Sequence, residues 1–191
     1  MGLDMYMTVS RKLSRKRKSE REVIKLLDSL AGKIPADSDG TLYVGGYTTN
    51  DDAIALGALL RSTKIGADVN TIRKVDGIWH LNKELMYWRK ANQIHQWFVD
   101  NVQNGVDDCG SYVVDLCQID ELLDDIDLVL SNHSLANDVL PTQSGFFFGG
   151  TEYDKYYFSD LRETKRKLKP LRKRKTYRDD TRYEFRYSSS W

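Results

Sequence analysis

Residues 3–9 alternate, with Leu3, Met5, Met7 and Val9 on one side and Asp4, Tyr6 and Thr8 on the other. A period of two predicts a strand. The period then changes. Val23, Leu26, Leu27 and Leu30 recur at helical spacing, which predicts a helix entered from the basic stretch Arg11–Arg21 and stopped by Gly32. Pro35–Gly40 reads as a loop, and Thr41–Tyr47 as a short strand ending in a glycine pair. Thr48–Asp52 offers capping oxygens and first-turn acids to a helix through about Arg61, with Ala53, Leu56, Leu59 and Leu60 as its apolar side. Val69–Val75 and Ile78–Leu81 flank Asp76-Gly77. That dipeptide between apolar runs predicts a hairpin, because both turn residues must take positive φ.

In the second half, Tyr87, Ala91, Ile94 and Phe98 form a stripe that predicts a helix from about Lys83 to Val102, stopped by Asn104-Gly105. Tyr112–Leu116 reads as a strand and Ile119–Leu130 as a helix with its acids outside. Asn132–Pro141 is irregular. Phe146–Phe148 predicts a short buried strand, and Gly149-Gly150 leads into a helix from about Glu152 to Lys169. Thr151 and Asp154 have the spacing of a capping box, with Asp replacing the usual Glu. From Tyr177 to Tyr187, aromatic and charged residues alternate as on an edge strand or a docking arm. This order fits the α+β class, with a mixed or antiparallel sheet and helices packed mainly on one side, better than a regular βαβ repeat. It suggests one α+β domain over residues 1–170 and a basic aromatic strand or arm over 171–191.

Composition adds limits. At 40% hydrophobic and 30% charged, the 191-residue chain can build a core without disulfide or zinc staples. Cys109 and Cys117 match neither a metal spacing nor a secreted disulfide framework, which points to a reducing compartment. No apolar run is long enough for a membrane span, so no membrane association is expected. Met1-Gly2 opens like a myristoylation signal, but Met7 stands where that signal needs Ser or Thr. The net charge of +1 hides segregation. Residues 100–154 hold twelve acids and no Lys or Arg, whereas 162–191 hold twelve bases against four acids and 11–25 hold eight against two. The favoured reading is that acidic middle and basic ends neutralise one another or keep the domain dissolved. The sharper one is a basic surface for nucleic acid or an acidic partner.

Three segments carry candidate chemistry. In Tyr87–Asn101, Trp88 and Trp97 offer rings for stacking, Arg89 a fork for phosphate or carboxylate, and Asn92 an amide for an amide-like edge. His95 lies beside them. Taken singly, each is more simply explained by ordinary helix packing. In Asn104–Gly110, Asp107 and Asp108 sit with Cys109 on a turn, where carboxylates could hold a divalent cation or act as acid and base. Turn chemistry is the simpler explanation. In Pro141–Asp154, Ser144 and Phe148 precede Gly149, Thr151, Glu152 and Asp154 at a helix start. Free N–H groups there can bind an anion, but Glu152 and Asp154 would repel one and suit a ribose hydroxyl, an amine or a metal instead. Tyr43–Asn50 has the same strand, glycine-pair, helix order. Neither is a phosphate-binding loop of known pattern, and His80, His95 and His133 lack zinc-enzyme spacing.

The strings MGLDMY (Met1–Tyr6), YWRKANQIHQWFVDNVQNGVDDCGSY (Tyr87–Tyr112) and LPTQSGFFFGGTEYDKYYFSDLRET (Leu140–Thr164) resemble a family of small, uncharacterised proteins of tailed bacteriophages and prophages. The chain departs from that family in its longer middle, about Ser10–Leu81, and in its basic aromatic tail. The resemblance implies expression in a bacterial host cytoplasm. With the side chains above it suggests an accessory protein that binds a nucleotide-type ligand through Trp88, Arg89, Asn92, His95, Asp108, Ser144, Phe148, Gly149, Thr151, Glu152 and Asp154. Sequestering a host immune signal would be a counter-defence role of that kind. The alternatives are a metal-assisted nucleotide phosphoesterase, with a divalent cation as its cofactor, and a module binding host protein or nucleic acid through its basic ends. Non-enzymatic binding is slightly favoured, and self-association into a homo-oligomer is left open.

Overall fold

The computed structural model describes residues 2–34, 36–38, 40–44, 51–62, 68–179 and 181–191. The expected Tyr43–Asn50 glycine turn therefore falls largely outside the described residues, as do Pro35 and Asp39 of the first loop. The fold is α+β. Its strands are β1 (Asp4–Lys12), β2 (Leu42–Tyr43), β3 (Thr71–Val75), β4 (Ile78–Arg89), β5 (Ser111–Val114) and β6 (Tyr183–Ser190). They form one antiparallel sheet in the order β2-β3-β4-β1-β6-β5. The chain divides into two compact units, Val9–Glu84 and Met1–Thr8 with Leu85–Trp191, so that β1 and β4 each run through both.

In the Val9–Glu84 unit, α1 (Lys18–Leu30) and α2 (Asp51–Ser62) accompany β2, β3 and the first part of β4. Val23, Ile24 and Leu27 join Leu56, Leu60, Ile72, Trp79 and Leu81 in one buried cluster. Asp76 (φ 49°) and Gly77 (φ 76°) both take the left-handed conformation, so the expected hairpin forms, with Val75 opposite Ile78. Glu20 is fully buried, accepting from the Ser14 N–H at 2.7 Å and pairing with Arg11. Asp28 accepts from Lys74 Nζ at 2.8 Å, Trp79 Nε1 at 2.9 Å and Arg15 at 2.7 Å.

The other unit contains α3 (Asn92–Asn101), α4 (Leu116–Ser131), a 3-10 turn at His133–Leu135, α5 (Ala136–Val139), α6 (Lys155–Lys173) and α7 (Lys175–Asp179). Leu3, Met5 and Met7 are completely buried, whereas Asp4, Tyr6 and Thr8 on the opposite face keep partial access. One covered and one half-open face is what helices gathered mainly on one side produce. The Phe98 and Tyr187 rings stack at 3.9 Å between centroids, and Trp88 Nε1 donates to Thr164 Oγ1 at 2.7 Å. The acids of α4 meet the bases of α6 and α7. Asp127 pairs with Lys165, Asp124 with Arg172 at 2.6 Å, and Asp120 with Arg172 and Arg178. Within this unit the acidic middle and the basic end therefore face each other. No helix among the described residues is long and apolar enough to cross a membrane.

Several expected elements differ. The Lys83–Val102 helix is two elements: residues through Arg89 complete β4, and α3 begins at Asn92. Met86 and Trp88 are buried while Tyr87 and Arg89 are exposed, the alternation of a pleated strand. Lys90, at φ 61°, turns the chain between the two. Phe146–Phe148 is a turn, closed by Phe148 N–H donating to Gly145 O at 3.1 Å. The glycines on both sides favour a turn here over an extended run. Asp154 does not complete a box with Thr151. It is itself the helix cap, accepting from the N–H groups of Tyr156 at 2.8 Å and Tyr157 at 3.1 Å. Residues 171–191 contribute the end of α6, then α7 and β6, and β6 lies inside the sheet between β1 and β5 rather than at an edge.

Three hydrogen bonds, chiefly from Lys74 and Trp79, hold the Asp28 carboxyl down at about 2 against the usual 3.8. A carboxylate depressed in the folded state stabilises above its unfolded pKa and ceases to do so as pH falls through the folded value. The Asp28 contribution is thus expected to be complete above pH 4 and lost towards pH 2. Denaturant melts followed by tryptophan fluorescence should show that Asp28→Asn lowers stability at pH 7 and flattens this part of the acid limb.

Candidate functional site

The candidate site lies in the unit containing Leu85–Trp191 and is built around Asn92. This residue opens α3 and is only 1% exposed. Its Nδ2 donates to Phe148 O at 3.1 Å and Gly150 O at 2.8 Å, and its Oδ1 accepts from the Gln143 N–H at 3.0 Å. One side chain thereby fixes three backbone groups of the loop between residues 143 and 150. Further bonds hold the same loop. Leu3 N–H donates to Phe147 O at 3.0 Å, Lys90 N–H to Leu3 O at 2.8 Å, and Thr142 Oγ1 to Thr151 O at 2.9 Å. Residues from all three strings Met1–Tyr6, Tyr87–Tyr112 and Leu140–Thr164 meet here.

Two glycines lie close against Lys90. A Cβ at Gly149, where φ is 92°, would stand 3.1 Å from Lys90 Cβ, and one at Gly2 would stand 3.1 Å from Lys90 Cε. The aliphatic stem of Lys90 thus passes over two bare backbones, and Lys90 has no ion pair among the described residues. Arg89, beside Gly2 as well, is exposed and pairs with Asp4 at 3.0 Å. Its guanidinium is held further in the charged form by Tyr87 and Asp4. At the loop tip the Phe146 ring is 97% exposed.

Beneath the loop runs a closed polar chain. His95 is fully buried, with Nδ1 2.7 Å from Tyr187 OH and Nε2 2.9 Å from Asp107 Oδ2. Asp107 also accepts from Trp191 Nε1 at 3.1 Å, and the Trp191 ring meets Phe148 edge-on at 6.2 Å. Burial, then Asp107 and Cys109, push the Tyr187 hydroxyl well above its ordinary range, so it keeps its proton. The imidazole of His95 thus bridges a phenol hydroxyl and a carboxylate. Asp108 faces elsewhere, accepting from Tyr112 OH and Gly110 N–H at 2.8 Å each, which hold its carboxyl below the usual range.

The expected site residues therefore separate. Trp88, Asn92 and His95 are buried and committed to Thr164, the loop backbone, and Tyr187 with Asp107. They shape the site from behind rather than meeting a ligand. Asp154 is exposed but serves the helix cap, and Asp108 its own turn. Arg89, Ser144, Gly149, Thr151 and Glu152 are exposed, and Phe148 is half-buried. Asp107 and Asp108 are drawn to different partners, and among the described residues no group of three His, Cys, Asp or Glu side chains is placed to hold a metal ion. Sequence reasoning missed Gly2, Lys90, Phe146, Tyr187 and Trp191. Only Phe146 carried a usable signal, since glycines on both sides of FFF mark a turn. It also missed Asp160, a half-buried α6 carboxyl pushed up to about 6, first by burial and then by Asp154, with Gln93 opposing. Comparison of the chain with protein-family models, with curated proteins and with solved structures finds no match.

Two outcomes follow from this geometry. Asn92→Ala should free the three loop groups and lower stability by about 2–4 kcal/mol. Hydrogen exchange should then accelerate in residues 143–150, and Asn92→Asp should behave no better because it lacks both donors. A carboxyl raised in the folded state weakens folding as pH climbs from its unfolded to its folded value. Asp160→Asn should therefore stabilise the protein at pH 7 and leave it unchanged near pH 4 in denaturant melts.

Proposed function

We propose that the protein binds a nucleotide-type ligand on the surface formed by Lys90, Arg89, Gly149 and Phe146. The observation that carries this reading is Phe146, 97% exposed at the tip of a loop whose backbone is fixed by Asn92. Leaving such a ring in water forgoes about 1.5–3 kcal/mol of burial. A loop already held rigid loses little entropy when something settles on it. The ring suits stacking against a base. Lys90 suits a phosphate, with Arg89 sharing that role beside its Asp4 pair. Glu152 and the exposed hydroxyls of Ser144 and Thr151 suit a ribose. The phage and prophage resemblance adds the setting, a bacterial host cytoplasm in which sequestering a nucleotide immune signal would serve the phage.

The metal-assisted phosphoesterase alternative is weaker. Asp107 is engaged by His95 and Trp191, and Asp108 by Tyr112 and Gly110, so this adjacent pair of carboxylates is drawn to other partners. A protein partner that takes Phe146 as an apolar anchor is the second reading, favoured by the same near-complete exposure.

Calorimetry against nucleosides, nucleotides and cyclic nucleotide signals tests the proposal. Phe146→Ala should weaken binding about tenfold or more for every ligand that binds. Lys90→Ala should weaken phosphorylated ligands while sparing nucleosides. Silence of the intact protein across the panel would overturn the nucleotide reading. Capture of a host protein that depends on Phe146 would put the second reading in its place.

A further inference from the structure

The longest helix among the described residues carries a second surface. In α6 the buried residues Tyr157, Leu161, Thr164, Leu168 and Leu171 share one side. At 3.6 residues per turn, Lys155, Ser159, Arg162, Arg166, Lys169 and Lys173 fall on the other, within about 60° of one line. All six are exposed. From Lys155 to Lys173 the row extends about 27 Å at 1.5 Å per residue. It contains no acid.

Neighbouring charges on this helix are treated differently. Lys165 and Arg172 turn towards α4 and are neutralised by Asp127, Asp124 and Asp120. On the outward row only Arg166 has an ion pair, with Glu163; Lys155, Arg162, Lys169 and Lys173 have none among the described residues. An outward face built for helix stability would interleave signs at i,i+3 and i,i+4. Here Arg162/Arg166, Arg166/Lys169 and Lys169/Lys173 place like charges at those spacings, an arrangement that destabilises a helix by a few tenths of a kcal/mol per pair. The row is therefore not explained by the fold, and its charge fits a polyanion.

We infer that the outward face of α6 binds duplex DNA through its phosphates, without reading sequence. A row of outward cations along one helix matches a continuous phosphate strand. The row itself has no amide and no aromatic ring, and the neighbouring exposed Tyr156 ring is already covered by Lys155 Nζ at 4.9 Å. The row thus lacks the side chains that read base edges, and Tyr156 is taken by a cation rather than left open to stack on single-stranded bases. Ser159 is its one hydroxyl, which leaves little to meet the 2′-hydroxyls of RNA. This surface is independent of the Phe146 loop.

The test is fluorescence anisotropy of the full chain with a labelled duplex of arbitrary sequence, titrated between about 50 and 200 mM salt. Contact with four phosphates predicts a slope of log K against log salt of about −3 to −4. The variant Lys155→Gln, Arg162→Gln, Lys169→Gln, Lys173→Gln should bring that slope close to zero and weaken binding at the lowest salt at least tenfold. It should melt no lower than the parent, because it relieves like-charge neighbours, and it should bind nucleotides unchanged. A matched variant of the first basic stretch, Lys16→Gln, Arg17→Gln, Lys18→Gln, Lys25→Gln, should keep the slope. Loss of binding in that variant but not in the α6 variant would overturn the assignment. So would tighter binding of duplex RNA, of single strands, or of an acidic protein in a salt-insensitive complex.

Discussion

The side chain of Asn92 is the constraint on which the candidate site depends. A primary amide has two donors and an acceptor on one short stem, and here all three functions are used on backbone groups of Gln143, Phe148 and Gly150. Aspartate would offer no donor, and glutamine would reach one methylene too far. Because all three bonds converge on one buried side chain, removing it breaks them together. The arrangement above it follows. Gly149 can hold its positive φ, Lys90 can lie across two glycines, Phe147 can receive the Leu3 N–H, and Phe146 is left facing solvent on a backbone bonded from below.

What was legible in the sequence was local. Asp76-Gly77 announces its hairpin because the conformational demand falls on two adjacent residues. The alternation Leu3, Met5, Met7, Val9 gives β1 because a single period is present. Legibility fails where two periods coexist. Tyr87, Ala91, Ile94 and Phe98 sit at helical spacing, yet Met86 and Trp88 are buried on alternate positions of a strand. The break is made by Lys90, a residue with no turn preference of its own, held at φ 61° by its bond to Leu3 O, far away in the chain.

The residues of the site are easier to find in the sequence than their roles. Asn92 and His95 stand out there as ligand contacts, and both are central, but as supports. Nothing in a sequence separates an amide that reads a ligand from one that reads the protein's own backbone. The distinction lies in partners 51 to 58 residues away for Asn92, and 92 residues away for His95 in the case of Tyr187. The charge blocks behave in the same way. Their segregation is visible, but only helical phase sorts the bases of α6 into those that meet Asp120, Asp124 and Asp127 and those that face outward.

These assignments bear on whether the site binds or reacts. General acid–base chemistry needs a titrating group within reach of a bound molecule. The imidazole of His95 has both nitrogens engaged and no exposed surface. Its Nε2 faces Asp107, whose other oxygen is taken by Trp191. Trp88 donates inward, Asp108 closes its own turn, and Asp154 caps α6. These polar groups are thus occupied in holding the fold. The groups left facing outward include an aromatic ring, a lysine laid across two glycines and a row of cations, a set suited to recognition. That division of labour is what supports the binding reading proposed above.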